Sequence, residues 1–192
     1  MEREGVIKYT NLHEFKEINC EKQALFINKV RVKLHDKGYI GEDAYTGIGY
    51  GNISIRLNKK EFLITGSQTG KLKNLSIEHF SIINDYDFES FTLNSFGHSK
   101  PSSESFTHAA LYSIFKDVTA IIHIHSMVLW EEMLLGGKLA TREVEYGTKE
   151  MILEVKRIFS NNKIQSGIFA MKGHPGGIIS FGENMDIAYN LI

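Results

Sequence analysis

The sequence predicts an α/β domain in which helices pack on a sheet with several antiparallel strands, and three observations carry that expectation. Residues Asn52-Ile53-Ser54-Ile55-Arg56-Leu57 alternate polar and apolar, and after the turn-forming Asn58-Lys59-Lys60 the stretch Glu61–Thr65 returns as a hairpin partner. Apolar residues recur at helical spacing in Glu21–Lys37, in the stretch after Pro101 and in Thr148–Phe159. No internal repeat, low-complexity tract or Pro/Ser-rich linker divides the 192 residues, so one domain over 1–192 is expected, with 1–19 as an N-terminal extension.

In chain order, the first helix is expected over Glu21–Lys37, where Ile27, Val30 and Leu34 share a face and Gly38 stops it. Gly47, Gly49 and Gly51 form a loop that leads into the hairpin. Phe80–Asn84 and Ser90–Leu93 read as short strands on either side of an acidic turn. Ser102 or Ser103 caps the next helix, with Glu104 in its first turn and Phe106, Ala109, Ala110 and Ile114 on one face. Val118–His125 is apolar and rich in β-branched residues, as a buried strand is. Helices over Met127–Leu135 and Thr148–Phe159 follow, then strands over Gly167–Lys172 and Gly177–Phe181 and a closing helix from Asn184.

Lys and Arg number 22 against 23 Asp and Glu, and the net charge of −1 argues against a nucleic-acid or anionic-membrane surface. No apolar run reaches the roughly 18 residues of a membrane helix. Met1–Gly5 opens no apolar leader. The single cysteine, Cys20, excludes an intrachain disulfide and any multi-cysteine zinc or iron–sulfur site. A soluble protein of the reducing cytoplasm is expected, and eight histidines and 17 glycines remain to be explained.

Alternation along a strand points His123 and His125 to the same face. Two imidazoles so placed suit one metal ion, or form a hydrogen-bonded pair at a strand end. His174, in the turn Lys172-Gly173-His174-Pro175-Gly176-Gly177, is the candidate third ligand, and is otherwise a turn histidine. His13, His35 and His79 lie in polar stretches and read as surface residues; His108, four residues after Glu104, either supports that glutamate or packs. Glu104 is the leading carboxylate for proton transfer, and is otherwise a first-turn glutamate favoured by the helix dipole. Two glycine-bearing loops, Gly49-Tyr50-Gly51-Asn52 and Thr65-Gly66-Ser67-Gln68-Thr69-Gly70, read as anion-binding loops or as tight turns, and neither has P-loop spacing.

Five segments in order resemble the class II aldolase/adducin family: Gly51-Asn52-Ile53-Ser54, Ile64-Thr65-Gly66-Ser67, Lys100-Pro101-Ser102-Ser103-Glu104, His123-Ile124-His125 and the His174 turn. Tyr146-Gly147-Thr148, before a helix, resembles a further family segment. The resemblance implies a three-layer α/β/α sandwich with a mostly antiparallel central sheet, usually assembled as a homotetramer with active sites near subunit interfaces, where Tyr146 faces a neighbour's metal. It implies Zn2+, or another divalent ion, held by His123, His125 and His174, with Glu104 as catalytic acid/base. It also implies that Gly51, Asn52, Thr65, Gly66, Ser67, Ser102 and Ser103 bind the phosphate of a small sugar. The implied activity is that of a lyase, a sugar-phosphate aldolase that breaks or forms a C–C bond through a metal-stabilised enediolate. Epimerisation or dehydration at the same site, and a non-catalytic adducin-like interaction module, are the alternatives. Three departures stand out. His174 is followed by Pro175-Gly176-Gly177 where the family has His-Gly, and the Thr65–Gly70 loop is two residues longer before its last glycine. Ending at Ile192, the chain is short of the C-terminal segment from which family aldolases can draw a catalytic tyrosine.

Overall fold

The alternation at Asn52 and its return after Lys60 become two adjacent strands near the middle of an eight-stranded sheet. The computed structural model describes residues 5–160 and 164–192, so the reading of Met1–Glu4 lies outside the described residues. The elements, in chain order, are β1 (Thr10–Phe15), α1 (Glu21–Asp36), β2 (Gly41–Glu42), β3 (Gly49–Tyr50), β4 (Asn52–Arg56) and β5 (Phe62–Thr65). A short 3-10 turn over Ile77–His79 leads into β6 (Phe80–Asp87) and β7 (Thr92–Gly97), followed by α2 (Ser105–Ile114) and β8 (Ala120–His125). The chain continues through α3 (Met127–Leu135), α4 (Lys149–Phe159), β9 (Gly167–Ala170), β10 (Gly177–Gly182) and α5 (Met185–Asn190).

The large sheet runs β1-β7-β6-β5-β4-β8-β10-β9, and β2 pairs with β3 separately. The mostly antiparallel sheet implied by the family resemblance is corrected to a mixed one: β1 lies parallel to β7 at the edge, from Thr10 opposite Thr92 to Phe15 opposite Gly97. The other neighbouring strands of that sheet are antiparallel. Residues 10–15, read as part of an extension, thus complete the sheet. Their sequence is polar and an edge strand buries little, so the apolar alternation that marks an interior strand is weak there.

Side chains alternate across the sheet and feed two apolar clusters. Phe62, Ile64 and Ile121 join Phe106 and Ala109 of α2 and Met151 and Val155 of α4. Leu63, Ile122 and Ile124 join Ile27 and Leu34 of α1 and Met185 and Ala188 of α5. Each fully buried side chain of this size contributes about 1.5–3 kcal/mol relative to exposure. Phe115 stacks on Phe181 at 5.1 Å between ring centroids, and Phe159 meets Phe181 edge-on at 5.2 Å.

Several boundaries move for local reasons. β6 and β7 are longer than expected and pair across a register shift between Ile83 and Asp85; the turn that joins them contains Phe91 in a left-handed conformation, φ +55°. Neither Ser102 nor Ser103 caps α2. The helix begins at Ser105 with Glu104 in the cap position, its side chain making no cap bond, while Ser102 Oγ accepts from the Glu104 amide at 3.3 Å. Thr148 and Asn184 do cap α4 and α5. His13, His35 and His79 are half-buried rather than surface residues; His13 reaches from β1 to Ser95 Oγ at 2.8 Å.

Candidate metal centre and pocket

β8 lies between β4 and β10, with His123 opposite Asn52 on one side and Ile179 on the other. A strand hydrogen-bonded along both edges cannot rotate, so the direction of the His123 and His125 side chains is set by the backbone. His123 Nδ1 donates to the Ile178 carbonyl oxygen at 3.1 Å. Because a carbonyl only accepts, this bond places the proton on Nδ1 and leaves a lone pair on Nε2. His125 Nε2 lies 3.1 Å from His123 Nε2 and 3.0 Å from His174 Nε2.

One ring nitrogen from each of the three histidines lies within 4.8 Å of the other two. Nitrogen lone pairs this close repel unless a proton or a cation lies among them. Three imidazoles bound to one tetrahedral ion at about 2.0–2.1 Å put their nitrogens about 3.3 Å apart, so the donor set fits a divalent ion. Burial holds the His123 and His174 pKa values well below 6.5, with the neighbouring imidazoles adding to the effect, and Lys8 adding at His174. Both rings are therefore neutral near neutral pH, the state a ligand needs.

His174 is brought to β8 by a tight turn in which its amide donates to the Met171 carbonyl at 3.0 Å and its carbonyl accepts from Gly177 at 2.8 Å. A Cβ on Gly177 would lie 2.4 Å from His174 Cδ2, so only glycine lets the strand pass beneath the ring. The Pro175-Gly176-Gly177 departure thus still delivers the imidazole.

Glu104 is buried, with Oε2 3.0 Å from His123 Nε2 and accepting from Asn52 Nδ2 at 3.2 Å. Register explains the meeting: Asn52 sits opposite His123, so both side chains leave the sheet on one face, beneath the start of α2. Gly51 makes the approach possible. Its φ is +79°, and a Cβ there would lie 2.7 Å from Ile40 Cγ1 and 3.2 Å from the His123 carbonyl.

The pocket above these groups is lined by the triad, Glu104 and Asn52 and by Ser102, Ser103 and residues 66–70. Thr65 is not part of the wall, because its hydroxyl turns inward and accepts from the Ile53 amide at 3.2 Å. Gly66 and Ser67 line the pocket, yet their amides are committed to the carbonyls of His79 at 2.7 Å and Lys100 at 2.8 Å. Their backbone donors are spent holding the loop to its neighbours, which local sequence does not reveal. His108 packs: it is fully buried on α2, with Nδ1 2.7 Å from Ser54 Oγ, and burial pushes its pKa down to about 3.

Two aromatic rings whose segments figured in the motif reading, though not as walls of the triad, stand beside it. The Tyr50 ring lies 5.2 Å from that of His125, and the Tyr146 ring 4.6 Å from that of His174. Tyr146 is buried within its own chain, and Lys8 Nζ lies 3.7 Å from the centroid of its ring. The Gly49 and Gly51 neighbours of Tyr50 were the available signal; Lys8 had none.

A profile described as the class II aldolase and adducin N-terminal domain matches residues 39–192. The chain belongs to the class II aldolase and adducin family. It is 28% identical over 167 residues to the 3-oxo-tetronate 4-phosphate decarboxylase of Haemophilus influenzae, covering 78% of this chain and 75% of that protein. It is 26% identical over 171 residues to the L-fuculose phosphate aldolase of Methanocaldococcus jannaschii, covering 84% of each. The fold matches the crystal structure of a sugar-phosphate aldolase from Thermotoga maritima with a TM-score of 0.66 at 18% identity, over 88% of both chains. Among the described residues no helix is long and apolar enough to cross a membrane.

Proposed function

We propose that this family member is a divalent-metal-dependent lyase that breaks or forms a C–C bond beside the carbonyl of a small sugar phosphate. One observation carries the reading: three imidazole nitrogens converge at 3.0–3.1 Å contacts with the Glu104 carboxylate 3.0 Å from one of them, at the end of a pocket. Zinc is the ion proposed for His123, His125 and His174. When bound, it supplies Lewis-acid stabilisation of the negative charge that C–C cleavage leaves next to a carbonyl.

The rest is the work of the chain. Asn52 holds Glu104 by donating to Oε2, and that carboxylate takes a proton from the substrate or returns one. Ser102, Ser103, Asn52 and the loop at residues 68–70 receive the phosphate, supported by their place in the lining of the same pocket as the triad. The 28%-identical decarboxylase favours a second reading in which the same site cleaves a C–C bond with loss of carbon dioxide. A cytoplasmic, self-associating enzyme belongs to the proposal. Exposed Met127, Val128 and Leu135 along α3 support self-association into the homotetramer, to be checked by light scattering.

Reconstituted protein is expected to hold about one ion per chain. It is also expected to convert at least one member of a panel of sugar phosphates and phosphorylated 3-oxo acids, with aldehyde or carbon dioxide release separating the two readings. Metal below about 0.1 ion per chain sinks both.

A further inference from the structure

Arg31 lies on α1 with no exposed surface, and its guanidinium is spent on one short stretch of backbone. Nη2 donates to the carbonyl oxygens of Thr69 at 2.7 Å, Gly70 at 3.1 Å and Leu72 at 2.8 Å, and Nε donates to Leu72 at 3.1 Å. Nη1 is buried and makes no hydrogen bond. Among the described residues no carboxylate pairs with the charge: burial accounts for the depression of its pKa, to about 10. A dry positive charge with only carbonyl dipoles around it is costly to the fold.

The stretch it holds is part of the pocket wall, since Thr69 and Gly70 line the cavity that the histidine triad also lines. In a trans peptide the carbonyl and the following N–H point in opposite directions, and the chain has no cis peptide bond among the described residues. Turning the Thr69 and Gly70 carbonyls onto Arg31 therefore turns the Gly70 and Lys71 amides away from it. The guanidinium withdraws the negative ends of these peptide dipoles and sets a whole positive charge behind the loop. Both changes favour an anion on the loop's other side.

We propose that Arg31 is the positioning residue of the phosphate subsite, fixing the 69–72 loop with its Gly70 and Lys71 amides turned away from the guanidinium, the Leu72 amide being donated to Thr69 at 3.0 Å, and supplying the charge that a substrate phosphate meets through the loop. The proposal rests on the sugar-phosphate reading above, and it separates Arg31 from a residue that only braces the fold. A brace affects stability, whereas this role affects phosphate affinity and KM at unchanged chemistry.

The test uses the full-length, metal-loaded protein and its Arg31→Lys and Arg31→Met variants. Titration with inorganic phosphate measures the subsite directly, and kcat and KM are measured on a sugar phosphate that the wild type converts. Arg31→Lys keeps a charge but loses the fork. It is expected to retain its metal, to bind phosphate roughly tenfold more weakly, and to raise KM in step, with kcat within about twofold. Arg31→Met is expected to be weaker still and to recover partly on addition of guanidinium ion. Variants that hold metal and bind phosphate as tightly as wild type overturn the proposal, as does a fall in kcat at unchanged KM. If Arg31→Met does not fold, Arg31→Lys decides alone. Wild-type protein that holds metal yet binds neither inorganic phosphate nor any sugar phosphate sinks the sugar-phosphate reading itself, and this inference with it.

Discussion

Charge state decides what individual side chains in this molecule can do. Glu104 lies at the junction of Asn52 and His123 and is not one of the three histidine ligands, so Glu104→Gln is expected to keep its metal and lose turnover by roughly 100-fold or more. A variant retaining wild-type kcat would remove Glu104 from proton transfer. His108 offers a test of burial in isolation. Its folded pKa is about 3 against an ordinary 6.5, so between those values the unfolded chain binds the extra proton and the folded chain does not. Stability from this residue is complete above 6.5 and is lost as pH falls toward about 3. Urea unfolding of chelator-treated protein is expected to show about 2 kcal/mol less stability at about pH 5 than at about pH 7 from this source. His108→Gln should narrow that gap; an unchanged gap assigns the pH dependence to other groups. Histidines were visible in the sequence as residues, but their protonation was not, because burial is a property of what packs around them.

At the scale of elements, the site depends on two pieces of backbone more than on any helix. β8, locked between β4 and β10, fixes two of the proposed ligands, and the turn before β10 delivers the third through the gap left by Gly177. Gly177→Ala puts a methyl carbon 2.4 Å from His174 Cδ2 and 2.9 Å from the His174 carbonyl oxygen, and is expected to displace that ring and its turn. Zinc affinity, measured by competition with a chromophoric chelator, should fall by roughly tenfold or more while the far-ultraviolet dichroism is kept. Unaltered affinity would mean that the turn relaxes without moving the ligand. α1, α4 and the β4–β5 hairpin were legible from periodicity, since each declares its buried face within one or two turns or strands of sequence. The start of α2 was not, because Glu104 is drawn to Asn52 and His123 rather than to a capping role, and that attraction crosses 52 residues of chain.

For the whole molecule, an ion held by the triad would tie the end of β8 to the turn before β10. An ion bound by the folded triad and not by the unfolded chain raises stability by about 4 kcal/mol at a thousandfold excess over its dissociation constant. Thermal melts are accordingly expected to drop by several degrees in chelator and to recover with zinc, and equal melting temperatures in both would deny the triad a resident ion. The sequence by itself determined the α/β class, most element positions, the three histidines, Glu104 and Asn52, because these are written in local periodicity and short motifs. Tertiary structure alone decided that β1 closes the sheet in parallel, that Thr65 faces inward, that Tyr50 and Tyr146 wall the triad, and that Arg31 grips the pocket loop from behind. Each of these is a contact between residues distant along the chain, set by strand order and by the shared burial of two surfaces, and no window of sequence contains both sides of it.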